Sequence, residues 1–474
     1  MKKFLFKNRK GVVFVMSACL YAFLILVLFA LLSHNNPQVL RMSRTSAVML
    51  FAYILSTYLL TNIYGKYDIG IRKSKPIVIS VSLSAFFADI ITFALLVIMN
   101  TNQTTNNAMY PYFWNDVLLV LLAFVWQVVI IFIMTYGGHY LYFSFVPPER
   151  SVIVSNGSKN DVVHMVKAIK KFKKQYTICK VIKYDDENLY DELQKYESVF
   201  MDALPPVPSK EILEYCYKNY KKVYKSVGVT DLLTNTARVV MLSDQSFLAS
   251  EVREKNMHQR IVKRLADIFI SIVGLAITGP FILIAMAAIK IEDGGKAIFK
   301  QQRVTINGSF FMLYKLRTMK ENADGSLVIN EKDGRITRVG HFLRKFRIDE
   351  IPQFINVLKG EMSVVGPRAE MADRVYMSIE ELPEYSYRYR MKAGITGYAQ
   401  INGKYNTSSR DKLMLDLTYI QTFSLWNDTK IIFQTVMVLL RPDKSTEAYD
   451  KNDLKHKEQV EKEVSEQLKK DKNE

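Results

Sequence analysis

Cysteine is scarce here, with three residues in 474. Cys19, Cys179 and Cys216 are odd in number and far apart. They leave no basis for a disulfide framework or a CxxC metal site. The six histidines form neither HExxH nor a zinc-like pair. Glycine is missing where a dinucleotide site needs it. The turn after the first soluble strand reads NGSKND, with one glycine in place of GxGxxG. Asp185 and Asp186 also lie further on than a ribose-binding acid, so bound NAD is not expected. Acidic residues are the minority, 46 against 64 basic, giving a net charge of +18 and a pI of about 9.4. That surplus suits anionic partners. No recognition motif for bases accompanies it, so nucleic acid is not expected.

Four long stretches lack charge almost entirely: 11–33, 45–65, 76–99 and 117–145. Each reaches the roughly 20 residues that span a bilayer. The first is too long for a signal peptide and is followed by further spans, which makes it an anchor. Five basic residues precede the first span, two follow it, four lie in the second loop (KYDIGIRKSK), and none lies in the third. The positive-inside rule then puts the N-terminus and second loop in the cytoplasm. Everything after Arg150 is expected there too. Asp89 interrupts the third span, and its expected partner is a polar group on a neighbouring helix, such as Gln127.

Next come alternating strand and helix patterns: strands at 151–157, 176–184 and 198–203, helices at 161–174 and 209–220. They predict a small Rossmann-like parallel sheet. A fifth apolar run, 268–289, has Gly279 and Pro280 at its middle. Lys263 and Arg264 precede it; Lys290, Lys296 and Lys300 follow. Proline bends a helix, and basic flanks on both sides place both ends on one face. The run reads as a re-entrant helix that breaks and returns. Residues 443–474 form a charged tail, either an exposed helix or disordered.

Asn307-Gly308 joins two strand-like runs carrying Lys300, Arg303, Lys315 and Arg317, a strong hairpin signal. Then comes FRIDEIPQF. Pro352 and Gly360 bound a predicted short helix over 351–359, with Asp349 and Glu350 at its positive end. An acid pair there is usually a helix cap. Arg344, Lys345 and Arg347 make the surroundings electropositive, which favours ionised carboxylates and attracts phosphate. The turn Gly366-Pro367-Arg368 can present a guanidinium to a phosphate.

These pieces together resemble the bacterial sugar transferases, the monotopic phosphoglycosyl transferases that start glycan assembly on polyprenyl phosphate. The matching stretches are KRLADI (263–268), the Gly279-Pro280 helix, FKQQRV and FFMLYKLRTM. LRKFRIDEIPQFINVLKGEMSVVGPR, AGITGYAQINGK and DLTYIQTFSLWNDTKIIFQT continue them in order. The family often has PRP where this chain has Pro367-Arg368-Ala369, and Ser-Pro where it has Gly279-Pro280. The four spans and Rossmann-like module look like the family's large members.

The resemblance implies transfer of a sugar-1-phosphate from a UDP-sugar to undecaprenyl phosphate, with release of UMP. This would open capsule or exopolysaccharide synthesis at the bacterial cytoplasmic membrane. By family analogy Asp349 is the nucleophile, giving a phosphosugar-aspartyl intermediate, and Glu350 is its partner in proton transfer or metal binding. Mg²⁺, held at Asp349 and Glu350, is the implied cofactor. Arg344 and Arg368 are the first choices for phosphate contacts. Lys315, Arg317 and Asp416 follow, for the nucleotide or the fold. The run 430–440 reads either as an interfacial helix or as core.

The expected architecture is a four-span helical bundle (1–148), a Rossmann-like α/β module (149–252) and an α/β catalytic domain (253–442) on a re-entrant helix (267–290). The sugar and the oligomeric state stay open, a homo-oligomer included. A catalytically inactive scaffold or regulator of polysaccharide assembly is the rival reading. An intact set of Asp349, Glu350, Arg344 and Arg368 argues against it.

Overall fold

The structure is a computed structural model that describes residues 8–101, 112–156, 159–202, 204–235, 237–250, 256–320, 334–403 and 407–439. The predicted tail 443–474 and most of the third loop lie outside these residues, as do Gly157 and Ser158 of the NGSKND turn. The chain divides into two compact units, one through Ser226 and one from Val227.

The uncharged runs of the first unit form helices α1 (Arg9–Leu32), α2 (Arg44–Tyr64), α3 (Ser74–Thr101) and α4 (Phe113–Phe145). All four are long and apolar enough to cross a membrane. α1 packs on α4, α4 on α3, and α3 on α2. Leu20, Leu24 and Leu28, spaced one turn apart, are buried along α1. Asp116, at the start of α4, accepts hydrogen bonds from Asn35 (2.7 Å) and Asn36 (2.8 Å), so the first loop and the head of α4 meet. Gln127 Nε2 donates to Asp89 Oδ1 at 3.1 Å, the partner expected from the sequence. An apolar interior makes an unpaired polar group costly, so the two are placed together.

Strands β1 (Glu149–Ser155), β2 (Tyr176–Lys183), β3 (Ser198–Asp202) and β4 (Lys222–Lys225) follow. They form a fully parallel sheet in the order β2-β1-β3-β4. Helices α5 (Lys159–Lys170), α6 (Leu189–Gln194) and α7 (Pro206–Lys218) connect them. Successive strand residues point to opposite faces. Ile153, Val181 and Phe200 therefore pack on α5, while Val152, Val154 and Met201 join Leu193, Ile212 and Cys216 on the other face. Covering on both faces explains why these strands read as continuous apolar runs.

The second unit opens with α8 (Val229–Thr234) and an exposed antiparallel hairpin, β5 (Arg238–Leu242) and β6 (Gln245–Ala249). Helix α9 (Met257–Asp293) is a fifth helix apolar enough to cross a membrane. Gly279 and Pro280 lie inside this one helix, where the sequence predicted a break. Proline's φ is helical, and it removes only one intrahelical hydrogen bond, so the ladder resumes beyond it. At 1.5 Å per residue the helix is about 55 Å long, well beyond a bilayer's apolar core.

One face of α9 is bound to its own unit from end to end. Lys263 Nζ meets Asp428 (2.6 Å) and the Val365 carbonyl (3.0 Å). Arg264 caps the carbonyls of Val357 (2.6 Å) and Leu358 (2.8 Å), and Asp267 accepts from the Val364 amide at 3.0 Å. Midway, Gly274 lies against Phe354, and Ala285 and Ile289 pack with Leu316 and Leu343. At the far end Glu292 accepts from the Arg338 amide (2.7 Å), and Asp293 pairs with Arg317. The opposite face exposes Leu265, Phe269, Ile272, Ile277, Phe281 and Ile284.

The hairpin predicted at Asn307-Gly308 forms from β7 (Ile298–Val304) and β8 (Phe310–Leu316). Both turn residues take positive φ. Next come α10 (Arg338–Lys345), α11 (Gln353–Lys359) and β9 (Ser363–Val365). They are followed by α12 (Ala372–Glu381) and β10 (Gly394–Thr396), which pairs with β9 in parallel. Helices α13 (Tyr398–Asn402), α14 (Ser409–Gln421) and α15 (Leu425–Leu439) close the unit. Of the two readings of 430–440, core packing describes the inner face: Ile431 is fully buried and Thr435 bonds Thr396 at 2.7 Å.

Candidate active site

The acid pair does not sit in the first turn of α11. Asp349 and Glu350 occupy a 3₁₀ turn, Ile348–Glu350, just before it, and Pro352 is the N-cap residue. Two features create that turn. Arg347 adopts a left-handed conformation (φ 54°), a costly state for a residue with a Cβ, and reverses the chain after α10. Gly360 ends α11 with φ 86°, the usual role of a C-terminal glycine.

Asn356 sets α11 against the hairpin. Its side chain is fully buried, accepts from the Tyr314 amide (3.0 Å) and donates to the Met312 carbonyl (2.7 Å) and to Glu361 (2.6 Å). A side-chain amide here replaces a neighbouring strand for β8. The clamp brings Lys315 Nζ to 3.1 Å from Glu350 Oε1. Sequence reasoning missed Asn356, because one asparagine inside a short helix carries no pattern.

The two carboxylates are both half-buried, yet they titrate in opposite directions. Burial and the neighbouring Glu350 charge push Asp349 up to about 6, against Lys315 and Arg344. Burial also penalises a charged Glu350, but Lys315, Arg368 and Arg347 outweigh it and hold that carboxyl well below the usual range. The electropositive surroundings noted in the sequence thus act mainly on Glu350.

Of the expected phosphate-binding residues, three surround this pair. Lys315 bonds Glu350, and Arg344, whose Nε donates to Thr318 at 2.8 Å, acts on Asp349. Arg368 is exposed beside Glu350. It follows β9 through Gly366, where a Cβ would lie 2.3 Å from the Lys392 carbonyl, so only glycine fits. Arg388 donates to the Arg368 carbonyl at 2.9 Å and holds the turn.

Two expected residues lie elsewhere. Arg317 is 8% exposed and pairs with Asp293 at the end of α9. Asp416 is 1% exposed and pairs with the fully buried Arg388 at 2.6 Å. A buried charge needs a partner, and both find one inside the fold. Of the two roles weighed for Asp416, the structure displays the one in the fold.

A carboxyl pushed up, a second carboxyl held low and several cations around them could carry out chemistry of the phosphoryl-transfer class. The comparisons agree with that class. Residues 258–442 match the family model described as bacterial sugar transferase. The UDP-N-acetylgalactosamine-undecaprenyl-phosphate N-acetylgalactosaminephosphotransferase of Aeromonas hydrophila is 35% identical over 239 residues. That match spans 49% of this chain and 55% of the relative. The UDP-glucose:undecaprenyl-phosphate glucose-1-phosphate transferase of Caulobacter vibrioides is 42% identical over 38% of this chain and 70% of its own length. The galactosyl transferase CpsE of Streptococcus agalactiae is 41% identical over 38% of this chain and 42% of its own. The chain thus spans about half the length of the first of these relatives. It belongs to the bacterial sugar transferase family.

Proposed function

We propose that the protein transfers a sugar-1-phosphate from a UDP-sugar to undecaprenyl phosphate, as the names of its relatives describe for them. The product would be an undecaprenyl-diphosphate sugar, the first membrane-bound intermediate of a surface glycan. The observation that carries this reading is the split acid pair, with Asp349 tunable near neutrality and Glu350 held charged by Lys315.

In the mechanism, ionised Asp349 attacks the phosphorus that bears the sugar. A P–O bond forms to the carboxylate, and the bond to UMP breaks. An oxygen of undecaprenyl phosphate then attacks the same phosphorus and Asp349 leaves. Arg344 and Arg368 neutralise charge on the phosphates during both steps. Glu350, already charged, raises Asp349's basicity and is the better placed of the two acids for a cation.

Mg²⁺ fits this donor set. Among the described residues no third Asp, Glu, His or Cys joins the pair to make a protein-only metal cage. Mg²⁺ commonly takes one or two carboxylates and completes its shell with phosphate oxygens and water. When bound it would neutralise the diphosphate.

The layout proposed for the membrane is four spans (α1–α4), a Rossmann-like module and a cytoplasmic catalytic unit. α9 dips into the bilayer with its apolar face and keeps both ends on one side. The bonds from Lys263 and Asp267 at one end, and Glu292 and Asp293 at the other, favour this over a fifth crossing.

The direct test supplies full-length protein in membranes with undecaprenyl phosphate, Mg²⁺ and a panel of UDP-sugars. UMP release with one of them is expected. Silence across the panel would favour the inactive scaffold.

A further inference from the structure

A second group of cations lies beyond Arg368, unused by the chemistry above. Arg303, in β7, is 8% exposed. Its guanidinium donates to the Ala369 carbonyl (3.1 Å) and Gln301 (2.6 Å), while its Nε has no hydrogen-bond partner among the described residues. Arg374 projects from α12 and is half-buried. Lys412 projects from α14, with 22% of its side chain exposed, and reaches Glu370 only at 3.8 Å.

These groups face too little negative charge. Glu370 is the acid that Arg303, Arg368 and Lys412 share, with Arg374 beside Arg303 and Lys412, and Arg388 also approaches Glu370 at 3.9 Å. Arg388 is already paired with Asp416, so that couple is closed. Arg303, Arg368, Arg374 and Lys412 are left with Glu370 and, on the reaction-centre side, Glu350, which already pairs with Lys315. Burial and the charge of Arg368, offset in part by Glu370, bring Arg303 down to about 10. Lys412 is lowered by burial, and by Arg368 and Arg374 against Glu370. Solvated surface cations need no ligand. Crowded cations on half-buried and buried stems repel one another, and a bound anion relieves the repulsion.

We propose that Arg303, Arg374 and Lys412, sharing Arg368 with the reaction centre, form a second anion subsite that takes a phosphate monoester. This rests on the transferase reading, within which two phosphate monoesters qualify: the departing UMP and the incoming undecaprenyl phosphate. Arg368 would then touch both sites, linking the reacting phosphate to the second one.

The test uses the full-length protein in detergent or nanodiscs. UMP binding is measured by calorimetry, and KM for undecaprenyl phosphate by turnover, in wild type, Lys412→Met, Arg374→Met and Lys412→Arg. Thermal unfolding checks that each variant is folded. Roughly tenfold weakening in both Met variants, with Lys412→Arg near wild type, is expected for one ligand. Weaker UMP binding with unchanged lipid KM assigns the subsite to the nucleotide. The reverse assigns it to the lipid phosphate. If folded Met variants match wild type in both measurements, the subsite is refuted. Because UMP binding needs no turnover, that outcome is distinct from a wild type that releases no UMP, which would refute the transferase reading instead.

Discussion

Lys315 Nζ lies 3.1 Å from Glu350 Oε1, so the lysine of β8 pairs with the second acid of the dyad and not with the first. The pairing gives the two neighbours different jobs. Glu350 carries a fixed charge. Asp349 feels that charge, and its own burial, and becomes the more basic carboxylate.

The acid limb of activity follows from this. In the proposed mechanism Asp349 attacks only when ionised, and its pKa is raised to about 6. The raised value means that kcat/KM falls as pH drops through about 6 and levels off above about 7. Glu350→Gln removes one of the two causes of the rise, so the limb moves to lower pH. A limb that stays in place in Glu350→Gln contradicts the assignment.

Asp349→Asn keeps the shape and removes the proposed nucleophile. Turnover should drop by about a thousandfold or more, with unchanged thermal unfolding. A UDP-sugar labelled in the sugar-bearing phosphate should label wild type covalently and leave Asp349→Asn unlabelled. Full activity in this variant would rule out the aspartyl intermediate.

Lys315→Met breaks the ion pair while leaving Glu350 in place. A charge-assisted hydrogen bond is worth about 1.5–3 kcal/mol. A fall in kcat of roughly ten- to a hundredfold is therefore expected, together with an upward shift in the Glu350 titration. Steady-state kinetics across pH would show both.

Asp416 is predicted to matter for stability rather than substrate. Asp416→Asn leaves Arg388 as a buried charge without its partner, at a cost of about 3–5 kcal/mol. Thermal unfolding should fall sharply, and KM for the UDP-sugar should not change in the folded fraction. Replacing both residues with apolar ones should cost less than replacing one.

The two ends of α9 should be reachable from the same side of the membrane. With Cys19, Cys179 and Cys216 replaced, single cysteines at Arg260→Cys and Lys296→Cys are exposed to a membrane-impermeant maleimide. Both should label in inside-out vesicles, and neither in intact cells. Labelling from opposite sides would make α9 a true span.

Much of the fold was legible because its signals are local. Uncharged runs longer than 20 residues favour helices when they meet lipid, and five such helices are present among the described residues. Alternating strand and helix patterns predict three of the four parallel strands and two of their three connecting helices, and Asn307-Gly308 marks the separate β7–β8 hairpin. At Pro280 the helix continues where the sequence predicts a break, for an equally physical reason. Proline weakens a helix locally, but α9 is held by contacts on both sides of Pro280, which a linear reading cannot count.

The sequence by itself determined that two adjacent acids lie among cations, after a membrane helix, in an order resembling sugar transferases. Only the tertiary structure decided which acid each cation serves. Lys315 and Glu350 are 35 positions apart, Arg388 and Asp416 are 28, and Arg317 meets Asp293 across the root of α9. Electrostatic energy depends on distance in space, and burial sets how strongly each charge is felt. Neither quantity is written along the chain, so the division of labour between Asp349 and Glu350 appears only once β8, α10 and α11 are folded together.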